Sequence, residues 1–345
     1  MDQIGIGYIG AGGNTKLRHL PGFAEIEGVR NVAVANRSEK SARAVADAFG
    51  IPKVSTDWRE VVADPEVDAV CIGTWPYLHA EASIAALKAG KHVLTEARMA
   101  MDAEEAGQML AVAQAHPRLV AQVVPSPFTL AYDATVQRLI ADGWLGRIRD
   151  ITVEHAMDSL LDPTAPLNWR QDPQYSGKNM LTMGILHEVI LRWLGVEAVS
   201  LDARGAVFTP RRSHWESGEQ VAVRLPDLLH IQGLFDNGAS FSYRFSGVDS
   251  RRRQVLRLVG SAGELELDVA AGSLLRCRPG GEPEPVPIPV EEQGEWRVEA
   301  DFIESIREGS PVRLTSFADG VRYMKFTDAV CDSVMRNGLA GSPEE

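Results

Sequence analysis

The sequence predicts two domains, an α/β domain with a doubly wound, mainly parallel sheet and an α+β domain with a large, mostly antiparallel open sheet. Three observations lead to this prediction. The chain has 345 residues, more than one hydrophobic core usually fills. Short β-branched runs alternate with Ala-rich stretches as far as residue 123, and strand-like runs joined by turns begin near residue 145. The predicted domains are therefore residues 1–123 and 124–345.

The first domain alternates between strand-like and helix-like segments. Helices of this length between consecutive strands give right-handed crossovers and a parallel sheet. Residues 69–73 are apolar without alternation, which is typical of a parallel strand buried on both faces. The predicted strands are 4–9, 31–35, 69–73, 92–95 and 119–123, and the predicted helices are 41–49, 58–63, 80–89 and 103–115.

The second domain has strand-like runs that are mostly joined by turns. Residues 236–238 (DNG) and 261–263 (SAG) are hairpin-type connections. An acidic, proline-rich stretch over 280–293 predicts a surface loop, and the helices after it can return to the first domain. The predicted strands are 148–155, 201–207, 220–225, 229–235, 240–245, 255–259 and 264–269, and the closing helices are 298–307 and 317–336.

Charge and composition exclude several classes of function. Lys and Arg total 35 against 47 Asp and Glu, a formal net charge of −12, so we expect neither a nucleic-acid nor a membrane partner. The chain starts without a basic-then-apolar signal segment, which predicts a cytoplasmic protein. Cys71, Cys277 and Cys331 are widely separated and odd in number, which fits neither a disulfide framework nor a zinc site, and we expect no metal.

A glycine-rich loop, residues 10–15 (GAGGNT), follows the first predicted strand. Gly10, Gly12 and Thr15 stand at the three positions of the dinucleotide-binding fingerprint, with Gly13 and Asn14 between them. The first glycine permits a tight turn, and the second lets a pyrophosphate approach backbone N–H groups at a helix N-terminus. The alternative is an ordinary glycine-rich turn.

The end of the second predicted strand indicates which dinucleotide binds. An acidic residue there would accept hydrogen bonds from the ribose of NAD, but the chain has Asn36. Arg37 and Ser38 can hold a 2′-phosphate through charge-assisted hydrogen bonds, which favours NADP(H). NAD(H) remains possible, and Arg37 can also be a solvated residue at a helix start.

Further motifs follow in order along the chain. They are residues 74–79 (TWPYLH), residues 89–96 (AGKHVLTE), Trp169-Arg170, Gly177, Gly184, Arg192-Trp193 and Gly195. With the glycine loop, they resemble the glucose–fructose oxidoreductase, inositol dehydrogenase and rhizopine-catabolism (Gfo/Idh/MocA) family. The resemblance implies a Rossmann domain, an open-sheet domain, dimers or tetramers, and hydride transfer between NAD(P) and a sugar or cyclitol. The cofactor contacts it implies are Thr74, Trp75, His79, Glu96 and Ala97, although His79 can also be a helix cap.

The positions that carry catalysis in that family differ here. Members typically have Glu-Lys-Pro after the fourth strand, where this chain reads Glu96-Ala97-Arg98, so the lysine is missing. Members also have an Asp and a His four residues apart on a helix, at positions that correspond to Thr182 and Leu186. His187 follows directly, but one residue turns a helical side chain by about 100°.

Two side chains are candidate acid/base groups. His187 is the first, provided that the helix start is bulged or shifted, with a packed core histidine as the alternative. Lys178 is the second, with a solvated loop lysine as the alternative. The candidate substrate-binding residues are Arg98, Trp169, Arg170 and Thr182. An indole can pack on a ring and a guanidinium can bind carboxylate or phosphate oxygens, but a packed corner or a surface charge would explain these residues equally.

Three functions follow from these residues. We favour an NADP(H)-preferring oxidoreductase that acts on a sugar, sugar acid or cyclitol with an atypical acid/base. The alternatives are a binding or regulatory protein on the same fold, and redox-neutral lyase- or glycosidase-like chemistry with tightly held NAD(P). An apolar sheet face in the second domain would need a cover, which predicts a homodimer or homotetramer.

Overall fold

The computed structural model describes residues 3–341 of the chain. These residues form two compact units. The first unit comprises the residues up to 125 together with 297–324, and the second comprises 126–296 together with the residues from 325 onward. A segment of the C-terminal half therefore returns to the first unit.

The first unit contains a parallel sheet with the strand order β3-β2-β1-β4-β5-β6. This is the doubly wound order in which two halves diverge from β1, and it confirms the predicted fold class. The residues of β1, β4 and β5 are all buried, which explains why none of these strands alternates between apolar and polar residues. The strands are β1 (Ile4–Ile9), β2 (Val29–Ala35), β3 (Lys53–Ser55), β4 (Ala69–Ile72), β5 (His92–Thr95) and β6 (Ala121–Val123).

Helices connect these strands, and local residues set their ends. Ser38 caps the start of α2 by accepting a hydrogen bond from the Ser41 N–H, and Gly50 ends that helix at φ +65°. The strand β3 was missed because three residues including Lys53 and Ser55 show no apolar pattern. The helices are α1 (Leu20–Ala24), α2 (Glu39–Phe49), α3 (Trp58–Ala63), α4 (His79–Lys88) and α5 (Ala103–Ala115), and Thr15–His19 form a π-helical turn before α1.

The second unit contains a larger sheet with the order β16-β15-β14-β13-β7-β12-β11-β8. Only the β7–β12 pair is parallel among the described strands of this sheet, so the predicted, mostly antiparallel sheet is confirmed. Its strands are β7 (Ile148–Ala156), β8 (Ala198–Ala206), β11 (Leu228–Phe235), β12 (Ser240–Ser246), β13 (Arg253–Gly260), β14 (Glu264–Asp268), β15 (Ser273–Cys277) and β16 (Glu284–Pro285). A separate hairpin pairs β9 (Arg211–Ser213) with β10 (Gln220–Ala222).

One face of the larger sheet carries the core of the second unit. Leu186, Ile190 and Trp193 of α8 pack in one buried cluster with sheet residues such as Phe241 and Tyr243. The helices of this unit are α6 (Leu130–Ala141), α7 (Pro173–Ser176) and α8 (Met183–Leu194). Helix α9 (Val298–Glu308) belongs to the first unit, and α10 (Phe317–Asn337) starts in the first unit and continues into the second.

The other face of the sheet is polar. Arg244 of β12 forms ion pairs with Glu154 (3.3 Å) and Asp249 (2.8 Å), and Arg257 of β13 pairs with Glu264 (2.5 Å). Alternation along these strands places their charges outward, so β12 and β13 do not present an apolar outer face. The homodimer or homotetramer stays a prediction. Between residues 3 and 341, no helix is long and apolar enough to cross a bilayer.

Candidate functional site

The glycine loop follows β1 and has the geometry that the fingerprint requires. Gly10 has φ +79°, and a Cβ there would lie 2.4 Å from Cγ2 of Thr74, so only glycine fits. At Gly12 the nearest neighbour of such a Cβ is the Gly73 carbonyl oxygen at 3.5 Å, and Gly13 has nothing within 4 Å. The backbone at Gly12 and Gly13 is thus open to a ligand, which fits the pyrophosphate of a dinucleotide.

Thr15, at the third fingerprint position, packs against the end of β4. Its side chain is 1% exposed, and a Cβ at Gly73 would lie 2.0 Å from Thr15 Oγ1. The usual arrangement is a small third residue on the helix. Here the helix carries the larger side chain, and Gly73 on the neighbouring strand end supplies the space instead.

A cavity of about 250 Å³ opens beside this loop. Its lining combines the predicted Gly10, Gly12, Asn36, Arg37, Thr74 and Trp75 with Ala11, Ser41, Gly73 and Tyr77, which the sequence analysis did not single out. These residues come from the carboxyl ends of β1, β2 and β4, the edge at which doubly wound sheets bind ligands. The residues present therefore fit the adenosine part of a dinucleotide.

The end of β2 is arranged around Asn36 and Arg37. Asn36 Oδ1 accepts a hydrogen bond from the Ala11 N–H at 2.8 Å, and the Arg37 guanidinium lies 5.0 Å from the ring centre of Trp75. The structure places Ser38 differently from the prediction, because its side chain caps α2. Ser41, one turn further along α2, lines the cavity instead.

His79 and Arg98 connect the loops that follow β4 and β5. His79 is fully buried, with Nδ1 2.9 Å from the Arg98 carbonyl oxygen and Nε2 3.0 Å from the Thr74 carbonyl oxygen. It therefore holds Thr74 in place and is neither a helix cap nor exposed to a ligand. Arg98 is 2% exposed, so it is not a surface charge, and the Ala97–Arg98 peptide bond is cis.

A buried charged cluster lies next to the glycine loop. Glu96 Oε1 accepts hydrogen bonds from Asn14 Nδ2 (2.5 Å) and His19 Nε2 (3.0 Å), and His19 Nδ1 lies 2.5 Å from Oε1 of Glu299 on α9. His19 and Glu299 were not predicted. No local signal could have shown this contact, because 280 positions separate the two residues.

In the second unit, Thr182 precedes α8 and contacts a buried histidine. Thr182 Oγ1 lies 2.8 Å from Nδ1 of His155 on β7. Burial lowers the pKa of His155 to about 4, so the imidazole is neutral near pH 7. The neutral ring can accept a hydrogen bond from the Thr182 hydroxyl group, although a pKa this low makes it a weak base toward an ordinary hydroxyl group.

The two candidate acid/base side chains lie in different surroundings. His187 is fully buried in the core, stacked on Phe326 at 3.6 Å between ring centres, with Nδ1 3.4 Å from the Tyr243 hydroxyl oxygen. This placement matches the core alternative, because the start of α8 is not shifted enough to expose the ring. Lys178 Nζ forms an ion pair with Asp328 Oδ2 at 2.8 Å.

Trp169 and Arg170 begin a short 3₁₀ helix that Asn168 caps. The Arg170 guanidinium lies 4.2 Å from the centre of the Trp169 ring, so the two side chains stack on each other. Trp169 is half-buried and Arg170 is exposed. Across the described part of the chain, no group of three His, Cys, Asp or Glu residues could hold a metal ion.

Comparison with known proteins gives two matching family models. An oxidoreductase family with an NAD-binding Rossmann fold matches residues 4–123, and the GFO/IDH/MocA C-terminal domain matches residues 134–266. Levoglucosan dehydrogenase of Pseudarthrobacter phenanthrenivorans is 28% identical over 100% of this chain and 99% of its own length. The dTDP-3,4-didehydro-2,6-dideoxy-alpha-D-glucose 3-reductase of Streptomyces violaceoruber is 30% identical over 88% of this chain and 85% of its own.

Comparison with solved structures finds proteins of the same kind. A levoglucosan dehydrogenase structure in complex with NADH and L-sorbose superposes with a TM-score of 0.87, at 23% identity, over 97% of this chain and 98% of that one. The two family models cover successive parts of the chain in the order that the motifs predicted. The chain therefore belongs to the Gfo/Idh/MocA family of NAD-binding oxidoreductases.

Proposed function

We propose that the protein is an NADP(H)-preferring oxidoreductase that transfers hydride to or from a hydroxyl or keto carbon of a sugar, sugar acid or cyclitol. The hydrogen bond from the Ala11 N–H to Asn36 Oδ1 carries the cofactor preference. Because Oδ1 faces the loop, the remaining polar group of Asn36 is the Nδ2 donor, and Arg37 lines the same cavity. Donors and a guanidinium suit a 2′-phosphate, which a carboxylate would repel.

The substrate class rests on the two relatives that align over most of the chain. Their names describe a levoglucosan dehydrogenase and a reductase of a dTDP-linked deoxysugar. When bound, the nicotinamide supplies hydride transfer. The chain's own residues hold the dinucleotide at Gly12, Gly13, Asn36 and Arg37, and they must also move the proton of the reacting hydroxyl group.

Replacing Asn36 by an aspartate tests the cofactor preference. The carboxylate would still accept from the Ala11 N–H, because the two side chains have the same shape, but it would add a negative charge beside the 2′-phosphate. We expect the unaltered protein to bind NADPH at least about tenfold more tightly than NADH, roughly 1.4 kcal/mol, and Asn36→Asp to remove that preference. Calorimetric titration of the apo protein with both nucleotides measures the two affinities.

NADH binding by the Asn36→Asp variant is the internal control, since it shows whether the loop is intact. Equal affinities for NADPH and NADH in the unaltered protein would contradict the NADP(H) preference. They would also show that Arg37 does not bind the 2′-phosphate. Binding of neither nucleotide would contradict the whole proposal.

For proton transfer we propose the Thr182–His155 pair in place of His187 and Lys178. Thr182 stands at the position that corresponds to the family's Asp, and its hydroxyl lies 2.8 Å from His155 Nδ1. As hydride leaves the substrate carbon and the C=O bond forms, the substrate hydroxyl becomes strongly acidic, so Thr182 can pass that proton to the neutral His155 ring. Thr182→Val keeps the side-chain volume and removes the hydroxyl. We expect kcat to fall by roughly 10²-fold with little change in NADPH affinity. Steady-state turnover with a panel of sugars and polyols measures kcat, and calorimetry measures the NADPH affinity. An unchanged kcat would exclude the Thr182–His155 pair from proton transfer.

A second candidate is a ligand-binding protein that does not turn over. The burial of His187 favours it, because that side chain is not available to a substrate, and Lys178 is paired with Asp328. Nucleotide binding without reduction or oxidation of any sugar in the panel would support this candidate over the first.

A further inference from the structure

The cluster around His19 joins three separate parts of the first unit. His19 ends the π-helical turn, Glu299 lies in the first turn of α9, and Glu96 follows β5. The His19 side chain is 0% exposed and that of Glu299 is 4% exposed. Each ring nitrogen of His19 faces a carboxylate oxygen, Nδ1 toward Glu299 and Nε2 toward Glu96. A ring that donates to two carboxylates must carry both protons, so this geometry requires the imidazolium form.

The electrostatics agree with that geometry. Burial lowers the pKa of His19, but the hydrogen bonds to Glu299 and Glu96 outweigh it and raise the pKa to about 9. Burial would also raise the pKa of Glu96, but the hydrogen bond from His19 lowers it below its usual value. Glu96 is therefore ionised and His19 is protonated near pH 7.

Other titratable groups near the cluster keep one charge state over the relevant pH range. Burial raises the pKa of Tyr8 on β1 and of Cys71 on β4 well above their usual values, and the nearby carboxylates add to this effect. Burial lowers the pKa of His79 on α4. Of the groups named here within residues 3–341, His19 is thus the one expected to change charge between pH 7 and 10.

The two oxygens of Glu96 have different surroundings. Oε1 takes both hydrogen bonds, from Asn14 and His19, whereas Oε2 has no donor among residues 3–341. The Glu96 side chain is 15% exposed. Glu96 follows β5, which lies on the opposite side of β1 from β2 and Asn36. A dinucleotide that spans the carboxyl edge places its adenosine near β2 and its other nucleoside over β4 and β5.

We propose that His19 and Glu299 are positioning residues, which hold the Glu96 carboxylate so that Oε2 accepts a hydrogen bond from the nicotinamide nucleoside of the cofactor. This inference rests on the cofactor binding proposed above. The group that it recognises is a hydroxyl or amide donor, because an ionised carboxylate can only accept. The adenosine half of the cofactor does not depend on it.

The test compares a whole cofactor with its adenosine half. In His19→Gln and Glu299→Gln, calorimetry measures the affinity for NADPH and for adenosine 2′,5′-bisphosphate, which lacks the nicotinamide nucleoside. We expect NADPH binding to weaken about tenfold in each variant while bisphosphate binding changes less than about twofold. His116→Gln is the matched control, since it makes the same chemical change elsewhere in the first unit and should alter neither affinity.

Equal losses for both ligands would overturn the inference, because they would show general damage to the nucleotide site. Unchanged NADPH binding would overturn it as well. If the unaltered protein binds NADPH no more tightly than the bisphosphate, the nicotinamide half contributes no affinity. The inference then fails, while the proposed recognition of the adenosine half stands. If it binds neither NADPH nor NADH, the cofactor proposal itself fails and this inference falls with it.

A pH series adds a readout that a merely structural role would not change. In the unaltered protein, the ratio of NADPH affinity to bisphosphate affinity should fall as the pH rises through about 9, because His19 then loses its proton and no longer holds Glu96. The His19→Gln variant should show no such step. A ratio that stays constant from pH 7 to about 10 in the unaltered protein would contradict the role of the imidazolium.

Discussion

Replacing Gly73 by Ala is expected to abolish NADPH binding and to lower the free energy of unfolding by about 3 kcal/mol. The new Cβ would lie 2.0 Å from Thr15 Oγ1 and 2.5 Å from the Gly10 carbonyl oxygen. The glycine loop must then move, because both of these atoms belong to it and each lies well inside the contact distance of the new Cβ. Calorimetry with NADPH and unfolding in urea measure the two effects.

Two further variants control this experiment. Gly107 of α5 has no atom within 4 Å of an added Cβ, so Gly107→Ala should leave binding unchanged and stabilise the helix by about 0.5–1 kcal/mol. Adding Thr15→Ala to Gly73→Ala removes the hydroxyl contact and should recover part of the stability, since the two sites are in contact. Unchanged NADPH affinity in Gly73→Ala would show that this loop does not bind the cofactor.

The second large effect is expected in the second unit, where Arg212 organises a loop. Arg212 is 2% exposed and donates hydrogen bonds to the carbonyl oxygens of Asp162 (2.7 Å), Ala165 (3.0 Å) and Leu160 (2.7 Å). Arg212→Met keeps much of the length and removes every donor. We expect a loss of about 3 kcal/mol in the free energy of unfolding, because carbonyl groups lose their partners in a buried setting.

Urea unfolding of Arg212→Met measures this loss, and two variants calibrate it. Arg212→Lys should lose nearly as much, since one ammonium group cannot span three carbonyl oxygens as the guanidinium does. Arg211→Met changes an exposed neighbour that bonds one carbonyl oxygen, that of Gln220, and should cost no more than about 0.5 kcal/mol. If the Arg211 and Arg212 variants are equally stable, the buried contacts do not support the loop before Trp169.

The residues that the sequence predicted best act through their immediate neighbours in the chain. The glycine loop follows β1 directly, and Asn36 and Arg37 follow β2, so the doubly wound topology brings both to one cavity. Only Ser38, and not Ser41, was predicted from the sequence. Both are polar and adjacent to the site, and only the capping geometry of α2 shows which one faces the cavity.

Other features depend on packing between distant segments. His187 has a polar side chain, but three aromatic rings enclose it in the core, and spacing along one helix does not show what packs against that helix. The polar outer face of the larger sheet follows from alternation along β12 and β13. Apolar residues alternate with polar or charged ones along both strands, and which of the two sets faces solvent depends on the side of the sheet that α8 covers.

The amino-acid sequence by itself determined the fold class and the family, and it predicted the residues that line the cavity at the glycine loop, because each depends on short motifs with fixed spacing. Only the tertiary structure decided the contacts of His19 with Glu96 and Glu299, the Thr182–His155 pair and the close packing of Thr15 on Gly73. These contacts join segments that are far apart in the chain. Their distances are set by how strands and helices pack, and no local pattern of residues encodes them.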